Sequence, residues 1–322
     1  MLTAYHISGT ALSQTGDPLG VDQAAVWLDL LSPSPEEEGR VEDLLGIDIP
    51  TREEMKEIED SSRLYSRNGA HFMTAMMVTR LDTSWPVTSY VTFVLAKNKL
   101  VTVRYSEPSS FAIFAKRAKA GEVECTSALD VFVGLVEQII DRVADVIERM
   151  QGDIDGLSET VFGVADGRSP VSGRDAALKI VGRQGDLTTR ARESLVSFAR
   201  LLGYFSSVCQ KNGEAMPLRG RVETAIRDIN SLTDHLNYLN GQITFLLDAT
   251  LGFINIDQNR IIKIISVVSL VFTPPTLIAS IYGMNFHIIP ELSWDWGYPY
   301  ALLLMLLTAV LPLWYFRNKG WL

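Results

Sequence analysis

A stripe of small and polar side chains runs through the last third of the chain at helical spacing. From Asp248 onward, positions that alternate in steps of four and three carry mostly Gly, Asn, Ser and Thr, where a coiled coil would carry Leu and Ile. The stripe consists of Asp248, Gly252, Asn255, Asn259, Ile262, Ser266, Ser269, Thr273, Thr276, Ser280 and Gly283. Because these positions share one helix face, the pattern favours a narrow polar path for ions. The alternative is that small residues here permit close helix packing in lipid.

A pore with this lining requires an oligomer, because two helices of one chain cannot enclose a pore. Asp248 lies at the start of the stripe, where a ring of its carboxylates would concentrate cations at the inner end of the pore. The alternative for Asp248 is an ordinary solvated acid. Pro274 and Pro275 fall within the same helix, so they are expected to bend it locally and to free a carbonyl group.

Two uncharged segments of the chain have the length of membrane-spanning helices, and the stripe runs through the first. They are residues 264–282 and 296–316, and each matches the roughly 20 residues that a helix needs to cross a hydrocarbon layer. Arg260 and Lys263 precede the first segment, and Arg317 and Lys319 follow the second. The connecting loop contains neither Lys nor Arg. By the positive-inside rule, both termini are therefore cytosolic and loop 283–297 is external.

The part of the chain before these spans begins with signals for a small α/β domain. Ser34 and Thr51, each followed three residues later by Glu, predict helix starts. Apolar and β-branched runs predict strands at residues 25–30, 71–81, 87–96 and 100–104.

Helical patterns replace the strand signals from about residue 127. They predict helices at 127–164 and 173–210, with a turn at 211–213. From residue 217 to residue 282 no terminator is present, which predicts one continuous helix of about 100 Å. The predicted organisation is an α/β cytosolic domain at 1–125, a helical region and stalk at 126–260, and a two-helix transmembrane region at 261–322.

Charge and motif content exclude several classes of function. The formal charge is −9, and because the five charged side chains beyond residue 262 sum to +1, residues 1–262 carry −10. An acidic body argues against nucleic acid as a partner. The sequence has no GxxxxGK[ST] phosphate loop, and neither its four His nor its two Cys show metal-ligand spacing. We therefore predict a protein that is not an enzyme, with no organic cofactor.

The loop that follows the first span carries a distinctive set of short motifs. Tyr282-Gly283-Met284-Asn285-Phe286 is followed by Pro290-Glu291-Leu292 and by Trp296-Gly297-Tyr298-Pro299. With the final span and the basic tail, this order resembles the CorA family of magnesium channels, whose signature is a Gly-Met-Asn triplet at the external end of the first span. Two residues, His287 and Ile289, depart from the usual family pattern. Both belong to the outer loop.

The resemblance implies a homopentamer in a bacterial plasma (inner) membrane, with the first spans around the pore and a funnel-shaped cytosolic domain. Gly283, Met284 and Asn285 would form the ion entrance, with a ring of Asn285 side chains, and Glu291 would lie in the external loop. The expected function is uptake of Mg²⁺, and also of cobalt and nickel. At roughly 2.3 kcal/mol per charge per 100 mV, the membrane potential supplies about 4.6 kcal/mol to a divalent ion.

The resemblance also implies that cytosolic Mg²⁺ closes the channel by bridging acidic groups between subunits. Asp82, Glu223 and Asp228 are the candidate ligands of this regulatory site. Two alternatives stay open: a transporter of zinc or another transition metal from the same superfamily, and a membrane-anchored sensor or scaffold that conducts nothing. Met284 in the triplet favours the CorA branch over the zinc transporters, and the polar stripe argues against a scaffold.

Overall fold

A computed structural model describes seven ranges of the chain. The described residues are 1–14, 24–57, 59–79, 86–163, 171–212, 218–285 and 289–320. Two compact units are present, Met1–Leu246 and Leu247–Leu322. The sequence therefore divides into a large N-terminal unit and a small C-terminal one.

A seven-stranded mixed sheet organises the first unit. Its strands are β1 (Leu2–Ser8), β2 (Ala11–Gln14), β3 (Trp27–Leu31), β4 (Leu64–Arg67), β5 (Ala70–Thr79), β6 (Val87–Ala96) and β7 (Lys99–Arg104). Their order across the sheet is β2-β1-β3-β7-β6-β5-β4. Strands β3 and β7 are parallel, with Trp27 opposite Leu100, and the other neighbouring pairs are antiparallel. Lys97 and Asn98 join β6 to β7 with φ values of 47° and 61°, as a two-residue hairpin requires.

Seven α-helices are described alongside the sheet and in the second unit. They are α1 (Pro35–Leu45), α2 (Asp60–Arg63), α3 (Ser109–Lys119), α4 (Ala128–Gly163), α5 (Val171–Asn212), α6 (Arg219–Tyr282) and α7 (Gly297–Asn318). The predicted start at Ser34 is confirmed, because its hydroxyl accepts the Glu37 amide at 3.3 Å and the Glu37 carboxylate accepts the Ser34 amide at 2.9 Å. The predicted continuous helix over 217–282 is confirmed for Arg219–Tyr282 as α6, which continues across Pro274 and Pro275. Residue 217 lies outside the described ranges.

The sheet is covered by helices on both faces, which gives the predicted α/β class. Side chains alternate across each strand, so Leu28 and Leu30 of β3 pack with Val41 and Leu45 of α1 on one face. On the other face Trp27 is surrounded by aromatic rings, with the centroid of Phe114 at 5.9 Å. Helices α3, α4 and α5 supply this second layer through Phe111, Phe114, Phe132, Phe198 and Phe205.

A buried ion pair links the parallel strands on the second face. Arg104 Nη2 lies 2.7 Å from Asp29 Oδ2, and Arg104 Nε donates to Asp29 Oδ1 at 3.0 Å. Thr102 Oγ1 donates to Asp29 Oδ1 at 2.7 Å and accepts from Trp27 Nε1 at 2.9 Å. Because its hydrogen-bonding atoms are matched, the pair is tolerated in an interior where an isolated charge would be costly.

Some local predictions were incomplete or wrong. Strands β1, β2 and β4 and helices α2 and α3 had not been predicted. Thr51 does pair reciprocally with Glu54, but only a 3₁₀ turn at Glu54–Lys56 follows, because Met55 is its one buried residue. The turn predicted at 211–213 was wrong for residues 211 and 212, because α5 continues through Asn212. Residue 213 lies outside the described ranges.

The second unit contains the C-terminal part of α6 and all of α7. Both helices include a window long and apolar enough to cross a membrane. Only 6% of each window is buried, so neither has the burial expected of a core helix in a soluble protein. Large apolar side chains, among them Phe272, Leu277 and Leu306, are exposed along them. Such continuous apolar exposure is typical of a surface that meets lipid.

Candidate ion pathway

The polar stripe lies on an exposed face of α6. All of its members from Asp248 to Gly283 are exposed in the single chain. The buried face of the span carries Val267 and the half-buried Val271, Pro274 and Ile278. At about 100° per residue, the stripe is centred roughly 180° around the helix from this face. The stripe residues are therefore left uncovered by the chain's own helices.

The proline pair changes the hydrogen bonding of the helix inside the stripe. Pro274 and Pro275 have no amide hydrogen, so the carbonyl groups of Leu270 and Val271 receive no bond from the residue four positions later. Thr276 Oγ1 donates to a different carbonyl group, that of Phe272, at 2.7 Å. One hydroxyl of the stripe is thus held against the backbone, which fixes its rotamer.

The Gly-Met-Asn triplet forms the last turn beyond α6. The Gly283 amide donates to the Ala279 carbonyl at 2.9 Å, and the Met284 amide donates to the Ile281 carbonyl at 3.3 Å. A Cβ atom on Gly283 would lie 3.1 Å from the Ala279 oxygen, so this turn leaves little room for a side chain. Met284 and Asn285 are both exposed. The Asn285 amide is therefore presented where the polar stripe ends.

The loop before α7 is held by contacts between its own backbone groups. Pro290–Ser293 forms a 3₁₀ turn, the Trp294 amide donates to the Glu291 carbonyl at 3.3 Å, and the Gly297 amide donates to the Trp294 carbonyl at 3.0 Å. Gly297 is buried, and a Cβ atom there would stand 2.2 Å from the Glu291 carbonyl oxygen. Only glycine fits this position without a backbone shift. Residues 286–288, including His287, lie outside the described ranges.

Gly297 is a site residue that was not predicted from the sequence. It stood in the Trp296-Gly297-Tyr298-Pro299 motif, but its requirement comes from the Glu291 backbone six residues earlier. The half-buried Glu291, predicted to lie in the external loop, is thus anchored through its main chain.

The candidate regulatory acids occupy separate environments. Glu223 accepts a hydrogen bond from Arg219 Nε at 2.8 Å on the same helix. Partial desolvation raises the pKa of Asp141, and the nearby charge of Asp228 adds to that rise. Asp82 lies outside the described ranges. Across the ranges that are described, no group of three or more His, Cys, Asp or Glu side chains is placed to hold a metal ion.

Comparisons with known proteins agree on one family. The family model described as "CorA-like Mg2+ transporter protein" matches residues 22–318. The magnesium transport protein CorA of Pasteurella multocida (strain Pm70) is 34% identical over 324 residues, covering 100% of both chains. The protein of the same name from Escherichia coli (strain K12) is 34% identical over 330 residues, again covering 100% of both.

A solved structure supports the fold independently of close sequence similarity. The complete structure of the CorA magnesium transporter from Methanocaldococcus jannaschii matches with a TM-score of 0.73 at 17% identity, covering 100% of this chain and 99% of that one. The fold, with an α/β unit, long helices and two C-terminal apolar helices, is therefore shared with that structure.

Proposed function

Since the chain belongs to the family of CorA-like Mg²⁺ transporter proteins, we propose that it is a channel that carries Mg²⁺ into the cell along the polar stripe of α6. One observation carries the proposal. The stripe is exposed on the face of α6 opposite its buried face, and it ends at the triplet that presents Asn285. A polar face that the chain does not cover is explained when several copies surround a common axis.

The assembly we propose is a homopentamer in the lipid bilayer of a bacterial inner membrane. Residues 1–125 and 126–260 form its cytosolic α/β domain and helical stalk, and residues 261–322 form the transmembrane hairpin. Both termini are cytosolic, and loop 283–297 is external. The basic residues that flank the two spans and the absence of Lys and Arg from the loop support this orientation.

The chemistry of Mg²⁺ determines what each part of the path has to do. Mg²⁺ binds oxygen ligands at roughly 2.0–2.1 Å and gives up its water reluctantly. A ring of neutral Asn285 amides binds the hydrated ion through its waters, so the dehydration cost is avoided at the entrance. Hydroxyls of the stripe, Ser266 to Ser280, replace bulk water along the membrane, and Asp248 attracts the cation at the inner end. The membrane potential drives the ion inward.

Regulation by the transported ion is part of the proposal. Carboxylates are suitable Mg²⁺ ligands, and residues 1–262 carry a charge of −10, which an oligomer multiplies. Mg²⁺ bound between Asp82, Glu223 or Asp228 of adjacent subunits relieves their repulsion and holds the channel shut. Limited proteolysis with and without millimolar Mg²⁺ tests this step. Slower cleavage of the stalk in Mg²⁺ is expected, and equal rates would count against it.

Uptake into liposomes that contain the purified protein tests the ion pathway. Asn285→Ala is expected to abolish Mg²⁺ uptake, while size-exclusion chromatography shows an unchanged oligomer. Asn318→Ala, which removes an exposed amide at the end of α7, is the matched control and should transport normally. Normal uptake by the Asn285 variant would overturn the assignment of the entrance.

The same liposomes identify the ion. Uptake of Mg²⁺, with weaker uptake of cobalt and nickel, is expected. Transport of zinc in preference to Mg²⁺ would instead establish the transition-metal alternative, and uptake of no divalent ion would favour a scaffold.

A further inference from the structure

A concave pocket in the first unit is lined by three arginines. It lies beside strands β4 and β5 and helix α5 and encloses about 480 Å³, within the roughly 300–1,000 Å³ of small-molecule sites. Its arginines are Arg63, Arg192 and Arg200, and Glu193 is the carboxylate among its lining residues. The pocket is therefore cationic, although residues 1–262 together carry −10.

Arg63 is held in position at the wall of this pocket. Its Nε atom donates to the backbone carbonyl of Glu57, and its guanidinium carbon lies 5.2 Å from the centre of the Tyr90 ring. These two contacts already restrict the rotamers of the half-buried Arg63 side chain, so a ligand that binds it loses less free energy in ordering it. A guanidinium restrained in this way presents its remaining donors in a fixed fork, the geometry that matches phosphate oxygens.

Arg192 and Arg200 place two further positive charges along α5. They are two helical turns apart, about 12 Å at 1.5 Å per residue. Both side chains are exposed. With Arg63 they bring three cationic side chains to one pocket. Three cationic groups suit a ligand that carries several anionic groups.

The lining of the pocket also has an apolar part. Leu64, Met76 and Val196 belong to it, beside the polar residues Thr74, Thr189 and Ser197. A pocket for inorganic ions alone would not need such a surface, whereas an organic ligand buries part of its own apolar area there.

We propose that this pocket binds a multiply phosphorylated small anion, such as a nucleoside di- or triphosphate. The arginines bind the phosphates, and the apolar lining residues accept the organic part. None of the lining residues belongs to the polar stripe or to the outer loop, so this proposal does not rest on the proposed ion pathway.

Calorimetric titration of the full-length protein in detergent, in buffer without divalent ions, tests the proposal. The ligands are ATP, inorganic triphosphate and adenosine. ATP is expected to bind, and Arg192→Ala combined with Arg200→Ala should raise its Kd at least tenfold. Glu193→Gln should lower the Kd, because it removes the opposing charge. Arg183→Ala removes an exposed charge from α5 outside the pocket and should leave the Kd unchanged.

The ligand series separates the possible sources of affinity. Binding of ATP more tightly than inorganic triphosphate assigns the site to nucleotides, and equal binding assigns it to the phosphate chain alone; both agree with the proposal. Three results would overturn it: no ATP binding at millimolar concentration, adenosine binding as tightly as ATP, or the double arginine variant binding like the wild type.

Discussion

Replacing Gly297 by Ala tests whether the fixed loop before α7 is needed for transport. The added methyl group would stand 2.2 Å from the Glu291 carbonyl oxygen, and no ordinary contact of this kind is shorter than 3.0 Å. The backbone must therefore shift until this contact reaches at least 3.0 Å. No side-chain rotation can relieve the clash, because the obstructing atom belongs to the main chain.

The size of the effect follows from the cost of overpacking. Strain of about 1–3 kcal/mol would lower the population of the native loop roughly 5- to 150-fold. We expect initial Mg²⁺ uptake into liposomes to fall by at least fivefold, with the oligomer intact. Gly241→Ala is the matched control, because nothing lies within 4 Å of a Cβ atom at that helical position. If Gly297→Ala transports at the wild-type rate, the loop geometry is not needed for conduction.

Three further changes test other parts of the molecule. Asp29→Leu alone should lower the free energy of unfolding in urea titrations by about 3–5 kcal/mol, because it leaves Arg104 buried and unpaired. Adding Arg104→Met should recover most of that loss, and additive losses would contradict this reasoning. Burial raises the pKa of Cys125 from 9.0 to about 11. As the pH rises, the thiol of the unfolded chain therefore loses its proton before the thiol of the folded chain. The free energy of unfolding should be at its full value below pH 9 and fall between pH 9 and 11. Cys125→Ser should remove that fall in melting curves recorded as a function of pH. Asp248→Asn should reduce Mg²⁺ uptake most strongly at low salt, whereas unchanged uptake and salt dependence would make Asp248 an ordinary solvated acid.

The features predictable from sequence were those with a long, regular signal. Helix α6 had no terminator over more than sixty residues, and β6 was predicted with the bounds that the structure has. The polar stripe was also visible, because a fixed helical period places its residues on one face. Its position opposite the buried face was not, since burial depends on which side of α6 the rest of the chain covers.

The features that escaped prediction depend on partners distant in the sequence. Strands β2 and β4 have only four residues each and are defined by their pairing with β1 and β5. The glycine requirement at Gly297 is set by a carbonyl group six residues away, and the capping pair at Thr51 gave no information about how far a helix would continue. Local signals fix where an element begins more reliably than what it packs against.

The parallel pairing of β3 with β7 ties the folding of the first unit to the order of its synthesis. Strands β5, β6 and β7 follow one another and pair with their sequence neighbours, so they form by short loop closures. Strand β3 has to wait for β7, whose residues 100–104 are made much later than residues 27–31. Closure of that long loop is expected to set the folding rate. Until then one edge of β3 is an unpaired strand edge on the nascent chain, and a chain truncated before β7 should aggregate through it.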